Sequence, residues 1–356
     1  MAMTVLQSII GVDVAKAEVV VCHIETDELK IVPNNKTELR AWLKSLPVDS
    51  AIAIEATNIY HLDTVNLAHG MGHKVYVIDG YRLNHYRKST GGRAKTDASD
   101  ARLLARYLKN EQADLRAWNP PPKVYTKLQS LLRRRAALVK MRVGLNQSWA
   151  GEPLLKASSK SVSACLARHE GLIEKRILDA VTEAGLLHQI KRCQAVEGIG
   201  FLTAVALTMA FQRGEFESAD AYIAFLGMDL RVSDSGQMSG RRSLSKKGDS
   251  EIRRLLHNAA SAGIKSNAWK PLYEGYLGRG LKTTQALVII ARKLARIAFS
   301  LMKNLSEYQS KAVLGASPPT IESPTEKQRH PARSSCRAPA KLRAFDLLLI
   351  LICGPR

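Results

Sequence analysis

Two of the most apolar runs near the start of this chain each carry a carboxylate, which narrows sharply what they can fold into. Asp13 lies within Ile9-Ile10-Gly11-Val12-Asp13-Val14, and Glu55 closes Ala51-Ile52-Ala53-Ile54-Glu55. Short apolar runs rich in β-branched residues read as core strands. Carboxylates are depleted in strands and costly to bury unless paired or metal-bound. Asp97 and Asp100 then stand three residues apart at the head of a helical pattern that runs to Leu108, so they share one helix face. Two strand carboxylates and an i,i+3 pair are expected to converge on hard, oxygen-ligated cations, Mg²⁺ with Mn²⁺ as its substitute.

The order of elements sets the fold class. Residues 5–32 read as three strands with charged turns between them, and 36–46 as a helix with Leu39, Trp42, Leu43 and Leu46 on its apolar face. The strand ending at Glu55, a helix over 62–69 and a strand over 73–78 follow. A run of strands and then alternating helix and strand argues for a mixed α/β sheet flanked by helices. An RNase H-like (RuvC-like) layout has an acid on its first strand, another at the end of its fourth and the last on a following helix, and the order here agrees. The basic, glycine-containing stretch 82–95 reads as a loop beside the cation site.

Asn119-Pro120-Pro121-Pro122 is the strongest punctuation in the chain. Beyond it, 125–143 and 161–190 read as long helices, a spacer or coiled-coil arm with Leu128, Leu131, Leu132 and Leu138 on a stripe and Arg133, Arg134 and Arg135 on the first helix. Those arginines fit a DNA contact or a solvated basic face equally well. The segment 196–204 resembles a helix-hairpin-helix in which Gly198 and Gly200 let backbone N–H groups approach a phosphate; an ordinary tight turn is the alternative. Helices are expected over 250–265 and 283–305. The expected division is a catalytic α/β domain over 1–118, a helical spacer over 119–190, an all-α C-terminal domain over 191–310 and a disordered Ser-, Pro-, Arg- and Lys-rich tail over 311–356.

Charge points to the partner. The chain carries +21, with a pI near 9.9. Residues 1–80 hold 6 Lys and Arg against 10 Asp and Glu, a net of −4, which leaves +25 on the rest. An acidic lobe fits a cation site and a basic remainder fits a phosphate backbone. The charge exceeds what solubility requires. The polar, glycine-rich stretch from Asp234 to Asp249 is a functional-loop candidate, with Arg241, Arg242, Lys246, Lys247 and, just beyond it, Arg253 and Arg254 available to phosphate. Ser235-Gly236 within it is by itself a weak signal. The five cysteines show no paired spacing and read as reduced thiols. With no signal segment and no membrane-length apolar run, a cytoplasmic, nucleoid-associated protein is expected.

Gly11-Val12-Asp13-Val14-Ala15-Lys16, Ile54-Glu55-Ala56-Thr57 and Lys95-Thr96-Asp97-Ala98-Ser99-Asp100-Ala101 resemble, in order, the three blocks of the DEDD insertion-sequence transposases related to the Piv DNA invertases. The segment 196–204, Leu226-Gly227, Ser235-Gly236 and Lys247-Gly248-Asp249 with Arg253 and Leu256 resemble that family's second domain. The resemblance implies a metal-dependent DNA recombinase. Asp13, Glu55, Asp97 and Asp100 would bind metal and Ser235 would be the nucleophile. The partners it implies are double-stranded DNA at element ends and target, a structured guide RNA, and further copies of the chain in a dimer or tetramer whose serine and carboxylates meet across protomers. The chain departs from the family pattern at Asn58, at Asp79-Gly80, at Gly227-Met228-Asp229-Leu230 and in its tail. Two alternatives stay open: a Holliday-junction-type divalent-metal nuclease that uses water, and a non-catalytic nucleic-acid-binding protein. An actin- or sugar-kinase-like ATPase would need a phosphate turn where this chain has Val14-Ala15-Lys16-Ala17.

Overall fold

Alternation in two parallel strands organises the first unit of the chain. The computed structural model describes residues 8–57, 59–91, 96–231 and 242–310, and the chain divides into Met1–Pro120 and Pro121–Arg356. The expected disorder of 311–356 lies outside the described residues. In the first unit β1 (Ile9–Val14), β2 (Glu18–His23), β3 (Leu29–Pro33), β4 (Ala51–Glu55) and β5 (Lys74–Ile78) form one sheet in the order β3-β2-β1-β4-β5. The first three strands are antiparallel neighbours, whereas β1, β4 and β5 run parallel. The sheet is mixed, as expected, with β1 at its centre.

Side chains alternate across a strand, so the two faces of β1 and β4 differ. Ile10, Val12, Val14, Ile52 and Ile54 face α1 (Lys36–Lys44) and α2 (Leu62–Gly70), burying Leu39, Trp42, Leu43, Val65 and Ala68. The other face offers small residues, Gly11, Ala51 and Ala53, to α3 (Gly80–Ser89) and α4 (Asp97–Glu111). There Leu83, Leu104, Tyr107 and Leu108 pack with Tyr76 and Ile78. The loop expected over 82–95 is corrected for its described part: 80–89 is helical. Asp79 caps it by accepting from the Tyr81 N–H, and its apolar anchors are Leu83 and the edge-on Tyr86–Tyr107 pair. So few apolar contacts leave little periodicity to read.

The second unit is helical. Its centre is α8 (Phe201–Phe211), buried continuously from Thr203 to Ala210. Around it pack α5 (Lys123–Ser148), α7 (Leu187–Gln194), α10 (Ser250–Gly263) and α12 (Thr283–Asn304). Two shorter helices, α9 (Ala219–Phe225) and α11 (Lys270–Gly278), complete it. Tyr222 of α9 is fully buried, stacks on Phe299 and donates to the Leu207 carbonyl at 2.7 Å. The long helix α5 pairs with α6 (Lys156–Glu183) through a bidentate Arg142–Glu170 bridge and an Arg135–Glu174 bridge. The single helix expected over 161–190 is corrected to α6 and α7. Gly185 sits at φ +69° between them, a left-handed position that ends a helix. Among the described residues no helix is long and apolar enough to cross a membrane.

Candidate active site

Strand register puts the first two carboxylates side by side. Val12 pairs with Ile54 in the parallel β1–β4 ladder, so Asp13 and Glu55 are the next positions along adjacent strand ends. Both share the face that carries Gly11, Ala51 and Ala53. Gly11 then decides where α4 lies. A Cβ there would overlap the Ala101 carbonyl oxygen and the Ala105 amide nitrogen, so the helix backbone rests directly on the strand. That close approach brings the first turn of α4, with Asp97 and Asp100, towards Asp13. Thr96 starts the helix with a capping box in which it and Ser99 satisfy each other's backbone N–H. Acidic residues in a first turn are also favoured by the helix dipole.

Electrostatics reports the proximity. Burial raises the Asp13 carboxyl, and the negative charges of Asp100, Asp97 and Glu55 raise it further, to about 6. Asp97 is exposed, Asp100 is buried, and Asp13 and Glu55 lie between these extremes. Gly80, at the start of α3, leaves space for the Glu55 carboxylate, which a Cβ would overlap. The sequence reading missed Arg87 of α3, which contacts Asp100 at 2.5 Å with both side chains largely buried. Among the described residues no three His, Cys, Asp or Glu side chains close around one point tightly enough to hold a metal ion. The donor chemistry nevertheless fits: four hard oxygen ligands with negative charge that Arg87 only partly offsets suit a divalent cation such as Mg²⁺.

The second unit holds the base of the other candidate loop, whereas Ser235 and Arg241 lie outside the described residues. The short strands β6 (Leu230–Arg231) and β7 (Ser243–Leu244) pair on either side of it. Beneath them Gly227, at φ +67°, meets Gly248 backbone to backbone, and a Cβ on Gly248 would stand 2.6 Å from the Gly227 nitrogen. Ser245 donates to the Asp229 carboxylate, and the Lys246 N–H donates to the Gly227 carbonyl at 3.2 Å. Asp249 caps α10 and accepts from Gln129 and Arg133. Burial raises the Asp249 carboxyl, but the Glu251 backbone N–H, Arg133 and Gln129 outweigh it and hold it below the usual carboxylate range. The Lys247-Gly248-Asp249 signature thus clamps the base of the loop.

The candidate phosphate contacts fall into distinct settings. Arg133 is engaged by Asp249, Arg135 is half-buried on Glu174, and Arg134 is exposed and donates to the Ser130 carbonyl. Arg253 reaches the Gly248 carbonyl, and Arg254 forks onto Glu251. Arg242, Lys246 and Lys247 are exposed at the loop base. Gly198, at φ +95°, lies against Ala259 and Gly263 of α10. Gly200 starts α8 with open space around its Cα.

Residues 10–150 match the DEDD model of the IS110 group, described as Transposase, and residues 190–274 match the model described as Transposase IS116/IS110/IS902 family. The chain is similar to the pilin gene-inverting protein of Moraxella bovis, 28% identical over 317 residues that cover 83% of this chain and 95% of that protein. Its counterpart in Moraxella lacunata is 28% identical over 326 residues, with the same coverage of each chain. The transposase for insertion sequence element IS1111A of Coxiella burnetii is 25% identical over 347 residues, 85% of this chain and 91% of that protein. The DEDD model implies an RNase H-like fold, and the mixed five-stranded sheet with its flanking helices agrees with it. Two models in order along the chain, and relatives matched over most of their length, place it: the chain belongs to the DEDD insertion-sequence transposases of the IS110/IS1111 family.

Proposed function

We propose that this transposase cuts and rejoins double-stranded DNA to move an insertion sequence, with Asp13, Glu55, Asp97 and Asp100 binding Mg²⁺ or Mn²⁺ and Ser235 as nucleophile. The observation that carries the metal role is the seating of α4 on Gly11, which sets Asp97 and Asp100 near the paired strand ends that bear Asp13 and Glu55. These four carboxylates would hold the cation, whose chemistry there would be to polarise a scissile phosphate and stabilise the attacking and leaving oxygens. The Ser235 hydroxyl gives up its proton and its oxygen attacks phosphorus. The bond to one DNA oxygen breaks, that oxygen leaves as a hydroxyl, and a phosphoserine ester remains. Attack by another DNA hydroxyl then expels the serine and restores a DNA backbone without external energy. The glycine clamp beneath β6 and β7 supports a loop held firmly at its base.

A guide RNA, a dimer or tetramer with sites shared between protomers, a phosphate contact at Gly200, the three-part division of the chain with its spacer, and residence in the cytoplasm on the nucleoid belong to the same reading. Met141 and Val143 on α5 and Leu172 and Leu178 on α6 are exposed and support contact between copies.

Ser235→Ala should eliminate a covalent protein–DNA adduct on denaturing gels while the melting temperature stays unchanged. Ser239→Ala, Ser243→Ala and Ser245→Ala should keep the adduct. Metal-dependent cleavage without an adduct in the unaltered protein would instead favour the water-using nuclease.

DNA binding should weaken steeply with salt. Lys246→Glu should lower affinity by about tenfold, equivalent to ~1.4 kcal/mol. Arg135→Glu, which breaks a partly buried bridge to Glu174, should lower the melting temperature more than the affinity. A filter-binding series combined with thermal melts checks both, and the reverse ranking would remove Lys246 from the interface.

A further inference from the structure

The helix that follows β5, α3, touches the carboxylate constellation twice. Gly80, in its first turn, makes room for Glu55. Seven residues later Arg87 leaves the same helix for the Asp100 carboxylate, contacting Oδ1 at 2.5 Å. The two side chains are 14% and 8% exposed, so neither charge is well screened by water. A buried carboxylate without a partner is strongly unfavourable, and Asp100 lies near enough to Asp13 for its charge to raise that carboxyl. Arg87 is the ion-pair partner of Asp100.

Resting on the metal-binding reading above, we infer that Arg87 is a built-in counterion that holds Asp100 in the metal-free protein and is displaced when a divalent cation enters. Arg87 is a positioning residue in this scheme. It keeps the acidic cluster folded before metal arrives and raises the concentration of metal needed to load the site. On loading, the guanidinium leaves Asp100 and becomes available to the phosphate that the metal recruits, since a planar fork suits phosphate oxygens. No covalent step is involved. One ion pair is exchanged for one metal–carboxylate bond.

The test is a Mn²⁺ titration of the full-length protein without DNA, followed by the paramagnetic resonance signal of free Mn²⁺. Arg87→Gln should bind Mn²⁺ about tenfold more tightly, because a unit positive charge removed about 5 Å from a divalent cation is worth roughly that even in a water-like dielectric. Lys88→Gln removes the same charge from an exposed neighbour on the same helix and should change affinity by less than about threefold. Arg87→Lys retains the charge with a less well-matched head group and should fall between wild type and Arg87→Gln; it carries the test if the glutamine variant fails to fold without metal. The metal-free melting temperature of Arg87→Gln should fall, and saturating Mn²⁺ should restore it.

Equal or weaker Mn²⁺ binding by both Arg87 variants overturns the inference. So does an equal gain from Lys88→Gln, which would reduce the effect to general charge. Binding lost in Asp13→Asn but unchanged in the Arg87 variants overturns the counterion alone. No saturable binding in wild type overturns the metal reading and the counterion with it.

Discussion

Gly11→Ala should both destabilise the first unit and abolish strand cleavage. The added methyl group would overlap the Ala101 carbonyl oxygen and the Ala105 amide nitrogen. These are backbone atoms in the middle of α4, so no side-chain rotation relieves the overlap, and the helix must lift from β1. Overpacking of this kind costs about 3 kcal/mol. The same shift moves Asp97 and Asp100 away from Asp13 and Glu55, and a displacement of about 1 Å at a reacting centre lowers rates by about a hundredfold. Gly144→Ala is the control. That residue lies in α5 with nothing near its added Cβ, and alanine there should stabilise by about 0.5–1 kcal/mol. Urea denaturation with a cleavage assay reads both outcomes. A Gly11→Ala protein of normal stability and activity would show that α4 does not depend on contact at that glycine.

The second large effect is opposite in sign for stability and activity. The Asp13 carboxyl in the folded, metal-free protein is raised from 3.8 to about 6, first by burial and then by Asp100, Asp97 and Glu55. A raised carboxyl binds its proton more tightly when folded, so it destabilises the fold when ionised. The penalty is complete above about pH 6 and is relieved as pH falls through that value towards about 4. With chelator at pH 7, Asp13→Asn should therefore be more stable than wild type by on the order of 1–3 kcal/mol, after discounting for partial exposure. Near pH 4 the difference should vanish. Added Mg²⁺ should stabilise wild type at pH 7 and leave Asp13→Asn unmoved, while cleavage by the variant is lost. Melting curves at both pH values, with chelator and with Mg²⁺, check this. A variant less stable than wild type at pH 7 without metal would mean that Asp13 supports the fold through contacts rather than opposing it through charge.

What the sequence by itself determined was whatever repeats over a few residues. The short apolar, β-branched runs 9–14 and 51–55 specified strands, each carrying one carboxylate, Asp13 and Glu55. The spacing of Leu104, Ala105 and Leu108 on α4 specified a helix whose first turn is acidic. The charge split pointed to phosphate. Each of these is a local pattern, legible because period and burial are linked along one element.

Tertiary structure decided the rest, because the deciding partners lie far apart in the chain. Gly11 is ordinary in a strand until α4, some ninety residues later, lies on it. Arg87 looked like one cation in a basic loop, yet it is the ion-pair partner of Asp100. Arg133 and Arg135 fitted a DNA contact or a solvated basic face equally well, and each is ion-paired, to Asp249 and to Glu174. Gly198 read as a phosphate turn or an ordinary tight turn, and its left-handed backbone is seated against Ala259 and Gly263 of α10. Gly227 and Gly248 are separated by twenty residues and meet only because β6 and β7 pair between them. A side chain's type shows what it can bind, but burial and charge partners select which of those interactions it makes, and both are set by the assembled fold.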